Sequence, residues 1–237
     1  MSGRLPRRRI YLMRHGEVAY FADPANPVAH DDAVLTPAGF EQARAAGRTL
    51  AEVRFDRVVT SGLQRTIQTA QLVVEQLRRA PARSELESWP ELQEMRGGDL
   101  DAVPDDDLED GFLAVSRGVP PHTATYVGGE TVGALVARVG SALDRLLADE
   151  SWDTVLLVLH GFVNRAVLGW ALDGHDRFFG QLEQSPACIN IIDAGQRPFV
   201  IRAINMTPYD LVQSSTRETT LEQYLKEYQA YRKAMQR

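Results

Sequence analysis

Ile10, Tyr11, Leu12 and Met13 form a short apolar run that breaks directly into Arg14, His15, Gly16 and Glu17. An apolar run of this length reads as a strand, and a glycine immediately after it reads as a tight turn. A strand ending in an arginine and an imidazole places a cationic clamp and a nucleophile at one point in space, a combination suited to phosphoryl chemistry. Four such residues also occur by chance, so the match gains meaning only from the rest of the chain.

Two further stretches repeat the pattern. Arg57 to Thr60 runs into Ser61, Gly62, Leu63, Gln64 and Arg65, with Gln68, Thr69 and Ala70 following. Val155 to Leu159 runs into His160 and Gly161, with Asn164 and Arg165 just beyond. Further strands are predicted over Ile189 to Ile192 and Phe199 to Ile204. Helix-period segments fill the intervals, and this alternation implies βαβ units and a largely parallel sheet covered by helices on both faces. The fold class expected is α/β, a three-layer α/β/α sandwich. One helix is predicted to start at Pro37, capped by Thr36 and stapled by Leu35 and Phe40, and to run through Leu50. A second is predicted from Ser61, with its hydroxyl as cap and Gln64 reaching back, burying Ile67, Ala70, Val74 and Leu77. A third spans about Thr131 to Ala148, and a charged amphipathic helix covers Leu221 to Met235, to pack on the body or on a second subunit. In an open parallel sheet the carboxyl ends of the strands share one edge, so Arg14, His15, Ser61, Arg65 and His160 converge where ligands bind.

Bulk properties narrow the function. The 237 residues carry a net charge of -6, which argues against nucleic acid as a partner. Arg7, Arg8 and Arg9 precede too short an apolar run to be a signal peptide, and no stretch approaches membrane-spanning length. The triple arginine reads as a solvated lead-in to the first strand. The single cysteine, Cys188, makes no internal disulfide and reads as a small buried apolar residue in a cytoplasmic protein. One domain over residues 1–237 is expected. Between Gly97 and Gly129 the periodicity fails and seven acidic residues crowd the stretch from Asp99 to Asp110. It reads as an excursion over the sheet edge, either a lid shaping substrate access or a solvated loop. Its carboxylates lack the spacing of a metal site.

Taken together, the Arg14 to Glu17, Ser61 to Ala70 and Leu156 to Arg165 segments resemble the histidine phosphatase superfamily, the phosphoglycerate mutase-like proteins. The resemblance implies His15 as nucleophile, forming a phosphohistidine, with its other ring nitrogen a donor held by a carbonyl or carboxylate. It implies Arg14 and Arg65 as bidentate phosphate ligands, a geometry lysine does not reproduce, and His160 as a cation on the same phosphoryl group. Leu92, Gln93, Glu94 and Gly97 resemble the segment that supplies the proton donor, making Glu94 the first choice, with Glu91, Glu17 and Glu130 as alternatives. Glu130, in Gly128, Gly129, Glu130, Thr131, reads more as a helix-start residue supporting the site. No metal and no organic cofactor are expected.

Phosphoglycerate mutases carry a tryptophan and an asparagine where this chain has Tyr20 and Phe21, and a small or polar residue where it has Phe162. That departure favours hydrolysis over phosphoryl return to a small polar acid, and leaves these three aromatics either to line a pocket or to pack the core. A phosphomonoesterase acting on a small phosphorylated metabolite is therefore expected. A mutase-type phosphotransferase and a non-catalytic phosphate-binding or interaction module are the alternatives, and a homodimer is a further possibility.

Overall fold

The structure is a computed structural model that describes residues 7–21, 30–83, 85–173, 177–195, 198–214 and 217–235. Its strands are β1 (Arg8–Arg14), β2 (Arg57–Thr60), β3 (Glu87–Ser88), β4 (Thr154–Leu159), β5 (Ile189–Ala194) and β6 (Val200–Met206). Its α-helices are α1 (Pro37–Thr49), α2 (Gln64–Gln76), α3 (Leu108–Leu113), α4 (Val132–Ala148), α5 (Gly161–Asp173) and α6 (Thr220–Met235). The strands form one sheet in the order β3-β2-β4-β1-β5-β6. The first four in that order are parallel, whereas β5 pairs antiparallel with β1 and β6 antiparallel with β5. The sheet is thus mixed, with its parallel part holding the reactive strand ends.

Alternation along the strands produces the three layers. Ile10, Leu12, Val155, Leu157 and Leu159 pack with α4 and α5, while Met13, Leu156 and Val158 pack with α1 and α2 on the other face. Successive strand residues point to opposite faces, so helices α4 and α5 cover one side and α1 and α2 the other. No helix among the described residues is long and apolar enough to cross a membrane.

Local sequence explains the starts of α1 and α4. Thr36 accepts from the Gly39 N–H at 3.0 Å with Pro37 at the first helical position, and Thr131 accepts from the Ala134 N–H at 3.1 Å. Helix α2 differs from expectation. It begins at Gln64, with Leu63 at the cap position and no side-chain cap bond. Gly62 turns the chain at φ +85°, and the Ser61 hydroxyl is drawn away to Thr66 and to His160. The arginine run is likewise more than a solvated lead-in. Arg8 opens β1, lies 4.2 Å over the Trp152 ring and donates to the carbonyls of Leu147 and Asp149, while Arg9 pairs with Asp193.

The segment from Gly97 to Gly129 is neither an unstructured loop nor a single helix. It winds through short 3₁₀ turns and α3, and it buries Leu108, Phe112 and Val127 against Leu225 and Tyr228 of α6. The excursion and the C-terminal helix therefore pack on one another at the edge where the reactive strands end.

Candidate active site

Strand register brings the reactive residues together. Arg14 is level with Leu159 across the parallel β1–β4 pair, so the next residues, His15 and His160, leave the sheet side by side. Their rings lie 5.2 Å apart in an edge-to-face arrangement, and both side chains are buried. On the other side of β4, Thr60 is level with Val158, which sets Ser61 beside the same edge. Its Oγ lies 2.8 Å from His160 Nε2. Ser61 thus supports His160 rather than capping a helix.

The His15 ring is fixed by its own turn. Nδ1 lies 2.7 Å from the Gly16 carbonyl, which only accepts, so Nδ1 carries a proton and the tautomer of a neutral ring has its lone pair on Nε2. Gly16 is required by packing as well as by the turn, since a Cβ there would stand 2.5 Å from the Gly39 carbonyl oxygen of α1. The Gly16 N–H donates to Thr69 Oγ1, and that hydroxyl donates to the Arg65 carbonyl. Thr69 thereby couples the His15 turn to the first turn of α2, where the fully buried Arg65 sits. A guanidinium there adds to the partial positive charge of the helix start.

Arg14 is buried and held by three groups. Nη1 donates to the Gln184 carbonyl at 2.7 Å and to Thr220 Oγ1 at 3.0 Å, and Nη2 donates to Tyr224 Oη at 3.1 Å. Burial works against its charge, but the surrounding Tyr224 and Glu183 hold its pKa above the ordinary arginine value. Its buried Nε has no hydrogen-bond partner among the described residues. A Cβ built on Gly161 would stand 3.7 Å from that Nε and 3.7 Å from Glu94 Oε2. The bare glycine therefore leaves space flanked by a cationic donor and a carboxylate.

Of the four candidate acids, Glu94 alone reaches this space. Its Oε2 accepts from the Phe162 N–H at the start of α5, and its Oε1 from the Met95 N–H. Glu17 is turned to Thr36, whose hydroxyl donates to it at 2.8 Å, and Glu91 pairs with Arg145. Glu130 is gripped by both edges of the Arg138 fork, Nε at 2.7 Å and Nη2 at 2.8 Å. Partial burial opposes its ionisation, yet Arg138 and the Arg96 N–H hold its pKa below the usual carboxylate range. Arg138 also donates to the carbonyls of Glu91, Gln93 and Glu94. It is the brace that fixes the Glu94 segment, and a lone arginine on an amphipathic helix gave no sequence signal for that role.

Arg14, His15 and Glu94 open onto a cavity of about 500 Å³. Tyr20, Phe21 and Phe162 line it, together with residues of the excursion and of α6. Arg65 and His160 are fully buried and do not line it, although Arg65 acts electrostatically on Tyr20 and Tyr224 of its wall. Cys188 is fully buried and its thiol is pushed up to about 12 by burial, so it stays protonated.

The model of the histidine phosphatase superfamily (branch 1) matches residues 10–207. The chain belongs to this superfamily. Among curated proteins it is 27% identical to wheat (Triticum aestivum) 2-carboxy-D-arabinitol-1-phosphatase, over 85% of this chain and 41% of that protein. It is 29% identical to the adenosylcobalamin/alpha-ribazole phosphatase of Escherichia coli, over 83% of this chain and 95% of that protein. The chain spans less than half the length of the first curated relatives it matches. Among solved structures, the alpha-ribazole phosphatase of Shigella flexneri superposes with a TM-score of 0.63 at 26% identity, covering 83% of this chain and 96% of that one. The six-stranded sheet flanked by helices is the fold of phosphoglycerate mutase-like proteins.

Proposed function

We propose that the chain is a phosphomonoesterase that hydrolyses a small phosphorylated metabolite through a phosphohistidine on His15. The observation that carries this reading is the His15 ring, anchored through Nδ1 to the Gly16 carbonyl and opening onto the same cavity as Arg14 and Glu94.

In the first step His15 Nε2 attacks phosphorus, the P–O bond to the alcohol breaks, and protonated Glu94 gives its proton to the departing oxygen. The electron pair of that bond leaves with the alcohol. In the second step the Glu94 carboxylate takes a proton from water, the water oxygen attacks phosphorus, and the N–P bond breaks to release inorganic phosphate and restore neutral His15. Arg14, Arg65 and protonated His160 carry the charge on the phosphoryl oxygens, which needs preorganised donors more than covalent chemistry. The single buried cysteine and the acidic charge balance suit a cytoplasmic protein of one domain.

Incubation with p-nitrophenyl phosphate should release phosphate, and His15→Ala should lower that rate by at least ~10³-fold. Undiminished turnover by the variant would overturn the nucleophile assignment. With phosphoglycerate and its bisphosphorylated primer, release of phosphate should exceed isomerisation, and efficient isomerisation would instead identify a mutase.

A further inference from the structure

We propose that the cavity in front of His15 is a leaving-group chamber for a bulky, uncharged, aromatic or otherwise apolar alcohol, so that the substrate is a phosphate monoester whose phosphate is its sole anionic group. This deepens the phosphomonoesterase reading and rests on it.

The chamber wall is a continuous arc of aromatic rings. Phe162, at the start of α5, lies 5.1 Å from Tyr126, and Tyr126 lies 5.8 Å from Phe112. Phe112 reaches Tyr228 of α6 at 5.9 Å, and Tyr228 reaches Phe21 at 5.1 Å. Tyr20 follows Phe21 at 6.3 Å and closes the arc on Tyr224 at 5.2 Å. Every ring but Tyr228 lines the cavity, and Leu100, Val127 and Leu221 add apolar surface between them. Burial pushes the phenols of Tyr20, Tyr126 and Tyr224 above their ordinary range, so they remain neutral.

The charged side chains of the lining are few. Arg14 and Arg165 are its buried cations, and Arg165 is already matched by the Leu182 carbonyl and Glu183. Asp31 and Arg96 are exposed. A second carboxylate or phosphate on the substrate would lose its water against aromatic faces, and the buried cation beyond Arg14, Arg165, is already paired with Glu183, so its burial is costly. An apolar ring placed there gains by leaving water, and a volume of about 500 Å³ suits a group of one or two rings.

Most of this wall lies within the segment that the superfamily model matches, and α6 adds the part that does not. Thr220, Leu221 and Tyr224 follow residue 207, and the Tyr224 hydroxyl accepts from Arg14 Nη2 at 3.1 Å. The C-terminal helix therefore ties the chamber to the phosphate end, as a feature of this chain.

Two primary-alcohol esters test the proposal, because phenylpropyl phosphate and glycerol phosphate release alkoxides of similar basicity but differ in polarity. Burial of a phenyl ring is worth roughly 10- to 100-fold, so kcat/KM should favour phenylpropyl phosphate by about that factor. Phe21→Ala should shrink the preference by roughly 5-fold, and Phe21→Leu, which keeps an apolar side chain, should retain most of it. Equal or better turnover of glycerol phosphate, or a preference that Phe21→Ala leaves intact, would overturn the chamber. Calorimetric binding of phenylpropylphosphonate against methylphosphonate separates this idea from the hydrolase reading. At least ~10-fold tighter binding of the former supports the chamber even if no ester is hydrolysed, and equal affinity sinks it even if all are.

Discussion

Arg138→Lys is the perturbation that best isolates how Glu94 is placed. Arg138 spends its whole fork on Glu130 and the Glu94 segment: Glu130 at 2.7 and 2.8 Å, and the carbonyls of Glu91, Gln93 and Glu94 at 2.8, 2.7 and 3.2 Å. A lysine keeps the charge and the ion pair, but one ammonium on a different stem cannot span two carboxylate oxygens and three carbonyls. At least two charge-assisted bonds are lost, each worth about 1.5–3 kcal/mol when buried. Since the Arg138 side chain is 24% exposed and water replaces part of what is lost, a stability decrease of about 2–4 kcal/mol follows. The catalytic effect is selective. A general acid contributes about 10²- to 10⁴-fold, and a displacement of ~1 Å already costs ~10²-fold. Turnover of alkyl phosphates, whose leaving oxygen needs the proton, should therefore fall about 10²-fold, while p-nitrophenyl phosphate should fall less than about 5-fold. The assay is log kcat/KM against leaving-group pKa, and the variant should give the steeper slope. Glu94→Gln combined with Arg138→Lys should be no slower on alkyl esters than Glu94→Gln alone. A parallel downward shift for all esters, or additive losses in the double variant, would refute the brace.

Three further outcomes are expected. Thr220 Oγ1 accepts from Arg14 and donates to Glu183 Oε1 at 2.8 Å, so Thr220→Val should weaken vanadate binding roughly 5- to 30-fold and Thr220→Ser should restore it, by inhibition assay. Glu87 is held below the usual carboxylate range by hydrogen bonds from the buried Arg57, with burial opposing. Its contribution is fully present above the unfolded pKa of about 4.3 and is lost as pH falls through the lower folded value, so Glu87→Gln should cost about 1–2 kcal/mol at neutral pH and little in strong acid, by urea unfolding. Gly16→Ala forces a Cβ to within 2.5 Å of the Gly39 carbonyl, and should cost about 1–3 kcal/mol and displace His15, read as a lowered Tm together with lost turnover.

The sequence made the parallel core legible because its signals are local. Apolar runs of strand length, the Thr36 and Thr131 caps and the helical stripe of α4 each report contacts made within a few residues. The helix start near Ser61 was misplaced for the same reason. Within the segment a serine before Gln64 looks like a cap, and the partner that fixes its hydroxyl elsewhere, His160, is ninety-nine positions away. The antiparallel β5 and β6 were similarly hidden, since a strand's apolar pattern does not state its direction.

What the residues alone determined is the chemistry available at the carboxyl ends of β1, β2 and β4, because consecutive residues at a strand end stay together whatever surrounds them. Tertiary structure decided which of four glutamates faces that chemistry, which arginine braces it, and that α6 closes over it. These choices rest on pairings such as Arg138 with Glu94 and Thr220 with Arg14, separated by 44 and 206 positions, and they exist only once distant segments are packed against each other.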